Sequence, residues 1–348
     1  MKKTFFFLLL ASLVISANAQ FDAQKTPVIT KSLSSENIKS ILSETAGGNI
    51  SVTGVNASEA KIEVYAVPNN YRKNNLSEGE IKERMESEYK LTIEVSNNKL
   101  TAIAKQKDKK MDWRKALSFS FKIYVPGNVE TNLSTSGGNI DLANLTGDQD
   151  FSTSGGNLNI DNVDAKMDGT TSGGNINLKD SKSDDAKLTT SGGNINAKNC
   201  EGKLGLSTSG GSLHLKNLKG DIKATTSGGN IEASNVSGEL VTHTSGGNIH
   251  LDELYCSLET STSGGNIDVS MKEPGKYVRI SNSGGSIDLE LPKGKGLDLE
   301  LSADKISTDK LENFNGKMDD DKVEGKLNGG GSLVKVNAGS GRINLRLK

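Results

Sequence analysis

The stretch Thr135-Ser136-Gly137-Gly138-Asn139-Ile140-Asp141-Leu142 decides the fold, because it keeps returning along the chain. With the first Gly of each pair as position one, copies start at Gly137, Gly155, Gly173, Gly192, Gly210, Gly228, Gly246, Gly264 and Gly284. The intervals are 18, 18, 19, 18, 18, 18, 18 and 20 residues. Self-similarity at a fixed period marks a repeat architecture in which each unit packs only on its neighbours. Position three is Asn in seven copies, with Ser212 and Ser286 in the other two. Position four is always Ile or Leu, and position six is Leu, Ile, Val or Ala. Apolar four and six alternate with polar five and seven, which is the period of a strand. Asn or Asp at position eight and Gly at position eleven, as in Asn199 and Gly202 or Asn217 and Gly220, read as a turn. A second alternating run follows, with inward pairs such as Leu204 and Leu206, and ends in Thr-Ser before the next Gly-Gly.

Each unit therefore reads strand, turn, strand, Gly-Gly corner. Eighteen residues cannot bury an apolar face alone, but stacked units can. Parallel stacking places Ile140, Leu158, Ile176, Ile195, Leu213, Ile231, Ile249 and Ile267 in one buried column. The expected fold is an all-β parallel β-solenoid, or β-helix, of about nine two-strand coils, a rod on the order of 43 Å long. The Asn column at position three is expected to form a ladder of side-chain amides, and Thr153, Thr171, Thr190, Thr208, Thr226, Thr244 and Thr262 a column of hydroxyls. The two corner glycines would permit a positive φ or a close backbone approach.

Outward from the repeat (131–290), the chain divides further. Residues 1–19 read as a signal peptide: Lys2 and Lys3, an apolar run from Phe5 to Ser16, and the cleavage site Ala17-Asn18-Ala19. Residues 20–130 form a β-rich N-terminal cap region containing an isolated corner, Ala46-Gly47-Gly48-Asn49-Ile50, and a polar loop from Asn69 to Asn75. One short helix opens at the capping box Ser77 to Glu80, with Ile81, Met85 and Tyr89 as its apolar stripe. Residues 291–348 read as degenerate C-terminal coils and cap, with Gly329-Gly330-Gly331-Ser332-Leu333 and Gly339-Ser340-Gly341-Arg342-Ile343 as weakened corners. Asp319-Asp320-Asp321 reads as a solvated loop.

The signal peptide and the repeat, together with Gly47 to Gly54, Leu100-Thr101-Ala102-Ile103-Ala104, Phe121-Lys122-Ile123-Tyr124-Val125-Pro126 and the closing Gly329 to Leu347 segment, resemble a bacterial family of secreted β-strand-repeat proteins called putative adhesins, a domain of unknown function. The resemblance implies an all-β solenoid and an adhesive role. It brings no catalytic residues.

Composition bears on function. Lys and Arg number 42 against 43 Asp and Glu, so the basic excess that neutralises nucleic-acid phosphates is missing. After the N-terminus no apolar run is long enough for a spanning helix. Glycan-cleaving enzymes need aromatic platforms and paired carboxylates or polarising cations. Between Ser134 and Glu290 the aromatics are Phe151, Tyr255 and Tyr277 and the one Arg is Arg279; Phe151 falls on an inward position. At outward position five Asp141, Glu232, Asp268 and Asp288 share a column with Asn159, Asn177, Asn196, His214 and His250, which reads as a solvated face. His214 and His250 sit two units apart, about 9.6 Å, too far for one metal, and His243 lies on the other strand. An ice-binding Thr array is interrupted by charge at position fourteen (Asp150, Asp168, Lys223 and Glu259). The basic stretch Lys105 to Lys115 with Trp113 reads as a hairpin loop. Cys200 and Cys256 fall three units apart, about 14 Å, beyond the reach of a disulfide, and are expected as buried thiols. No catalytic, cofactor-binding or metal residues are assigned. The expected function is an exported, non-enzymatic structural or adhesive module of the cell envelope, in the periplasm, at the cell surface or outside the cell. Its partner would be a surface or envelope glycan or protein. The alternative is a carbohydrate-active β-helix enzyme, a polysaccharide lyase or hydrolase.

Overall fold

The computed structural model describes residues 26–69, 76–107 and 116–348. The signal-peptide segment, most of the polar loop at 69–75, and Trp113 with most of its basic stretch lie outside the described residues. The rest is all-β, with one long, mostly parallel sheet and a single α-helix, Glu78–Glu88, among the described residues. That helix starts as its sequence dictates: Ser77 Oγ accepts from the Glu80 N–H at 3.3 Å, and the Glu80 carboxylate accepts from the Ser77 N–H at 2.7 Å. Ile81 and Tyr89 are buried, and Met85 packs against the core.

The repeat stacks in parallel register. Ile140, Leu158, Ile176, Ile195, Leu213, Ile231, Ile249 and Ile267 pair one with the next, and none is more than 1% exposed. Ile287 and Ile343 continue the column. The two long intervals are absorbed locally. The extra residue of the 19-residue unit is a bulge between Ser183 and Ala186. In the 20-residue unit Met271 pairs with Leu254 and fills the inward slot.

The Asn-x-x-Gly segment bends the strand without interrupting the ladder. Strands Ile195–Thr208, Leu213–Thr225 and Ile231–His243 run straight through it. Two left-handed residues make the bend: Asn199, Asn217 and Asn235 at φ 55, 55 and 54°, and Gly202, Gly220 and Gly238 at φ 114, 122 and 106°. Asn tolerates this conformation better than other side chains, which accounts for its recurrence. Between the bends Cys200, Leu218, Val236 and Leu254 point inward and add a further buried column.

The Gly-Gly corner meets one expectation, through close backbone approach, and departs from another in its Asn column. Neither glycine of any repeat corner has a positive φ. Only the second is sterically required: a methyl at Gly211 would stand 1.9 Å from the Gly193 carbonyl oxygen of the preceding rung, whereas one at Gly210 would have ordinary 3.6 Å contact. The Asn column also bonds differently. Its side chains do not pair with one another; each Oδ1 accepts the backbone N–H of position three in the next rung, as in Asn157 N–H to Asn139 Oδ1 and Asn175 N–H to Asn157 Oδ1, both 2.8 Å. The corner leaves that N–H without a ladder partner, and the side chain below supplies one. The Thr column works on backbone too. Thr226 Oγ1 donates to Gly211 O at 2.8 Å and accepts from Gly229 N–H at 3.3 Å, and the same pair of bonds recurs from Thr135 to Thr262.

Both ends are interleaved in sequence. Ile50–Gly54 lies between Leu117–Val125 and Ile140–Leu145, all parallel, so the isolated Gly47-Gly48 corner is stacked directly under the repeat. Antiparallel partners flank this end: Lys61–Pro68 beside Leu117–Val125, and Tyr89–Ser96 beside Lys99–Gln106. At the other end Ser332–Ala338 and Arg342–Leu347 stack on Tyr277–Asn282 and Ile287–Leu291. Leu297–Ser302 and Lys305–Thr308, earlier in sequence, lie beyond them. Gly339 to Ile343 is thus a repeat corner. Gly329 to Leu333 is not: Asn328, Gly329 and Gly330 at φ 49, 87 and 89° make a turn from Lys322–Leu327 into Ser332–Ala338. Asp319 to Asp321 does more than meet solvent, since the Asp320 and Asp321 carbonyls accept from Ile306 and Ala303.

These corners make a direct test. Gly211→Ala should cost about 3 kcal/mol or more, because backbone must move, while Gly210→Ala should cost under about 1 kcal/mol. Thr226→Val should cost about 1–3 kcal/mol by stranding a buried N–H and C=O. Urea unfolding midpoints check all three; equal losses for the two glycine variants would contradict this corner geometry.

Candidate functional site

Because inward positions are filled by packing, any site must be made of outward columns. On the face after the corner, position five carries a hydrogen-bonded ladder. Asn159 Nδ2 donates to Asp141 Oδ1 at 2.7 Å, Asn177 to Asn159 and Asn196 to Asn177, both at 2.9 Å. Further along, His214 Nδ1 stands 3.1 Å from Glu232 Oε2, and His250 Nδ1 3.1 Å from Asp268 Oδ2. A second amide ladder runs up position eight: Asn162 to Asn144, Asn199 to Asp180, Asn217 to Asn199 and Asn235 to Asn217. These are the side-chain ladders expected of the Asn residues, found at positions five and eight instead of three. The strand at position five and the left-handed bend at position eight aim neighbouring amides at each other, while the corner aims them at backbone.

The face before the corner is less regular. Position sixteen carries hydroxyls, with Thr225 Oγ1 donating to Ser207 Oγ at 3.2 Å and His243 Nδ1 2.9 Å from Ser261 Oγ. His243 is therefore on a different face from His214 and His250, which sit on alternate rungs with Glu232 between them in register. Tyr277 is covered by Arg279, whose guanidinium lies 4.3 Å from the ring centre, and its hydroxyl donates to Glu239 at 3.0 Å. Arg279 also reaches Glu259 at 3.7 Å. Phe151 is core, 1% exposed. Tyr255 is exposed at the far corner. Lys105, at the start of the basic stretch, pairs with Glu44 at 2.6 Å.

Three open grooves follow the columns. One of about 660 Å³ runs past Lys99, Glu130, Asp150 and Asp168. One of about 440 Å³ lies along His214, Glu232 and His250. One of about 310 Å³ centres on Gly205. Cys200 and Cys256 are both free and buried. Burial pushes the Cys256 thiol up to about 12 and raises Cys200 as well, so neither serves as a nucleophile at neutral pH. No helix among the described residues is long and apolar enough to cross a membrane.

This stack of parallel, in-register repeat units defines a repeat β-protein with polar ladders on its surface. The chain belongs to the family described as Toastrack DUF4097, whose model matches residues 56–240 and 205–346. Two crystal structures are similar to it. One is of a putative cell adhesion protein from Clostridium sporogenes, with 12% identity over 92% of this chain and 98% of that one and a TM-score of 0.19. The other is of a putative adhesin from Bacteroides fragilis, with 14% identity over 92% of this chain and 96% of that one and a TM-score of 0.33. No curated protein matches the chain.

Asp141 offers a pH test of the ladder. Burial raises its carboxyl above the ordinary value, and the Asn159 amide pulls it only part of the way back. With the folded pKa above the unfolded one, its stabilising effect is complete below about pH 3.9 and is lost as pH rises through the folded value. Asp141→Asn keeps an acceptor for Asn159 and removes the ionisation. It should raise the urea midpoint at pH 7 and leave it nearly unchanged at pH 3; an equal change at both would show that burial of charge is not the cause.

Proposed function

We propose that the protein is an exported, non-enzymatic β-solenoid of about nine two-strand coils, acting as a structural or adhesive module of the cell envelope. In this reading residues 1–19 direct export. The β-rich segment from 20 to 130 caps the first rungs, 131–290 forms the rod, and 291–348 closes it with degenerate coils. The partner is a glycan or protein of a surface or envelope. Membership of the Toastrack DUF4097 family supports the repeat architecture. The observation that carries the function is the use made of outward polar groups. From Asp141 to Asn196, and at His214–Glu232 and His250–Asp268, they bond along the column to the next rung instead of converging on one point. Surfaces of that kind suit many weak contacts summed along a rod, where avidity replaces a single deep pocket.

Removal of two whole units tests it. Deleting Gly137 to Ser172 joins Ser136 to Gly173 and keeps the corner sequence. The shortened protein should retain its β-sheet circular dichroism and show a graded loss of cell attachment. Single alanine changes at His214, His243, His250 or Asp268 should leave attachment nearly intact. The full-length protein should show no lyase or hydrolase activity on a panel of acidic and neutral polysaccharides, and protease shaving of intact cells should release its fragments. Polysaccharide cleavage that disappears with one of those alanine changes would replace this reading with an enzymatic one.

A further inference from the structure

Gly205 sits where the fold has no use for a glycine. It is in mid-strand, in the outward column between Lys187 and Lys223. Its φ is not positive, and a methyl there would meet nothing closer than the Ala186 carbonyl oxygen at 3.4 Å. From residue 131 to 290 every other glycine lies at a bend, a corner, a loop or, for Gly169, an inward slot. A glycine inside a strand weakens it and marks a bulge, a bend, or the close approach of another backbone or a ligand; no bulge or approaching backbone accounts for Gly205.

What surrounds the gap has a definite chemistry. The bare Gly205 backbone forms a notch in a groove of about 310 Å³ that spans four rungs. Lys187 and Lys223 flank it one rung to either side, and Lys203 stands two residues before Gly205 on the same face. Some oppositely charged neighbours in the stack close into pairs, as Lys219 does with Glu201 at 3.2 Å and Lys335 with Glu300 at 3.0 Å, while others, such as Lys182 beside Glu201, do not. Here Asp185, Asp221 and Glu239 lie on the rim, so the lining is formally neutral, yet none of the three ammonium groups comes within 4.0 Å of a carboxylate oxygen. The cations are held apart around an open floor. Val241, an outward apolar residue, forms one wall.

We propose that the Gly205 notch binds one anionic sugar unit of an acidic polysaccharide. The three lysines receive its carboxylate or sulfate, the rim carboxylates accept from its hydroxyls, and the bare Gly205 backbone meets its C–H face. The inference deepens the adhesive reading by naming a ligand class, and it rests on that reading for its biological use. Lysine ammonium groups act as point charges that suit a carboxylate or a sulfate alike.

The test uses the full chain after export. Affinity for polygalacturonate, dextran sulfate and neutral dextran is measured for wild type, Gly205→Thr, and the Lys187→Gln/Lys223→Gln double variant. Wild type should bind one or both acidic polymers, with affinity falling as salt rises, and should not bind dextran; which acidic polymer binds identifies carboxylate or sulfate. Gly205→Thr fills the notch with a good strand former, so it should raise the urea midpoint while weakening binding about tenfold or more. The lysine double variant should weaken binding comparably and flatten the salt dependence. Unchanged affinity in Gly205→Thr, or no binding of either acidic polymer by wild type, overturns the proposal. The two-unit deletion described above leaves the notch intact. If that deletion abolishes attachment gradation while Gly205→Thr still loses polysaccharide binding, the notch stands and the avidity reading falls.

Discussion

The whole stack depends on one hydroxyl per rung. At each corner the Thr Oγ1 donates to the second-glycine carbonyl of the rung before and accepts from the second-glycine N–H of its own rung, as Thr208 does between Gly193 and Gly211. A hydroxyl has one proton to give and lone pairs to receive with, so both demands are met without water. The bond closes the corner and ties it to its neighbour at once, in a region where an unpaired backbone group would be costly. It also draws successive corners so close that the second glycine cannot carry a side chain. The exception supports the account. Where Asn282 replaces Thr, its Nδ2 donates to Gly265 O at 2.8 Å and its Oδ1 accepts from Gly284 and Gly285 N–H. A carboxamide has the same two abilities as a hydroxyl, and an apolar residue has neither.

In-register stacking imposes a second rule on the surface. Every outward side chain faces a copy of its own position about 4.8 Å away. An amide both donates and accepts, so a column of Asn satisfies itself at any length, and Asn159, Asn177 and Asn196 do so above Asp141. Ionisable groups are costlier to repeat, because like charges one strand spacing apart repel, although exposed rows such as Lys179, Lys198 and Lys216 do stack in register. After Asn196 the column runs His214, Glu232, His250, Asp268 and then meets a second carboxylate at Asp288. Exposed pairs of this kind add little stability.

The sequence made the repeating part legible because the same constraint acts in every copy. Ile or Leu at position four, Thr before the corner, and Asn or Asp at the left-handed bend each recur, and the period gives the register. What bonds to what was less visible. Asn at position three and Asn at position eight look alike in sequence, yet one serves backbone and the other its own kind, because a corner and a left-handed bend orient the same side chain differently. The ends were least legible. The Ser332–Ala338 strand inserts between segments that precede it in the chain, and Ile50–Gly54 takes its place under Ile140–Leu145 across a long excursion. Such pairings leave no periodic trace, since each occurs once. Among candidate site residues, the positions of the three histidines and the burial of both cysteines follow from register alone, whereas Gly205 does not register as a signal among so many structural glycines.

Two glycines outside the corners and bends separate packing from function. Gly169 is inward, and a methyl there would lie 2.5 Å from the Phe151 ring and 2.8 Å from Leu188. Phe151 is the one aromatic ring in that column from Leu133 to Ile280, and the glycine above it makes the room. That pair is volume compensation inside a close-packed core. Gly205 has no such counterpart. Its neighbours in register are Lys187 and Lys223, both outward, and its own Cβ position is open. In a protein built by repetition, the period accounts for most residues by the needs of the stack. A departure that relieves a clash belongs to the same account. A departure that relieves nothing, weakens its strand and opens a notch among unpaired lysines does not, and under the proposal above it is at such a position that the selective contacts of an otherwise uniform stack are placed.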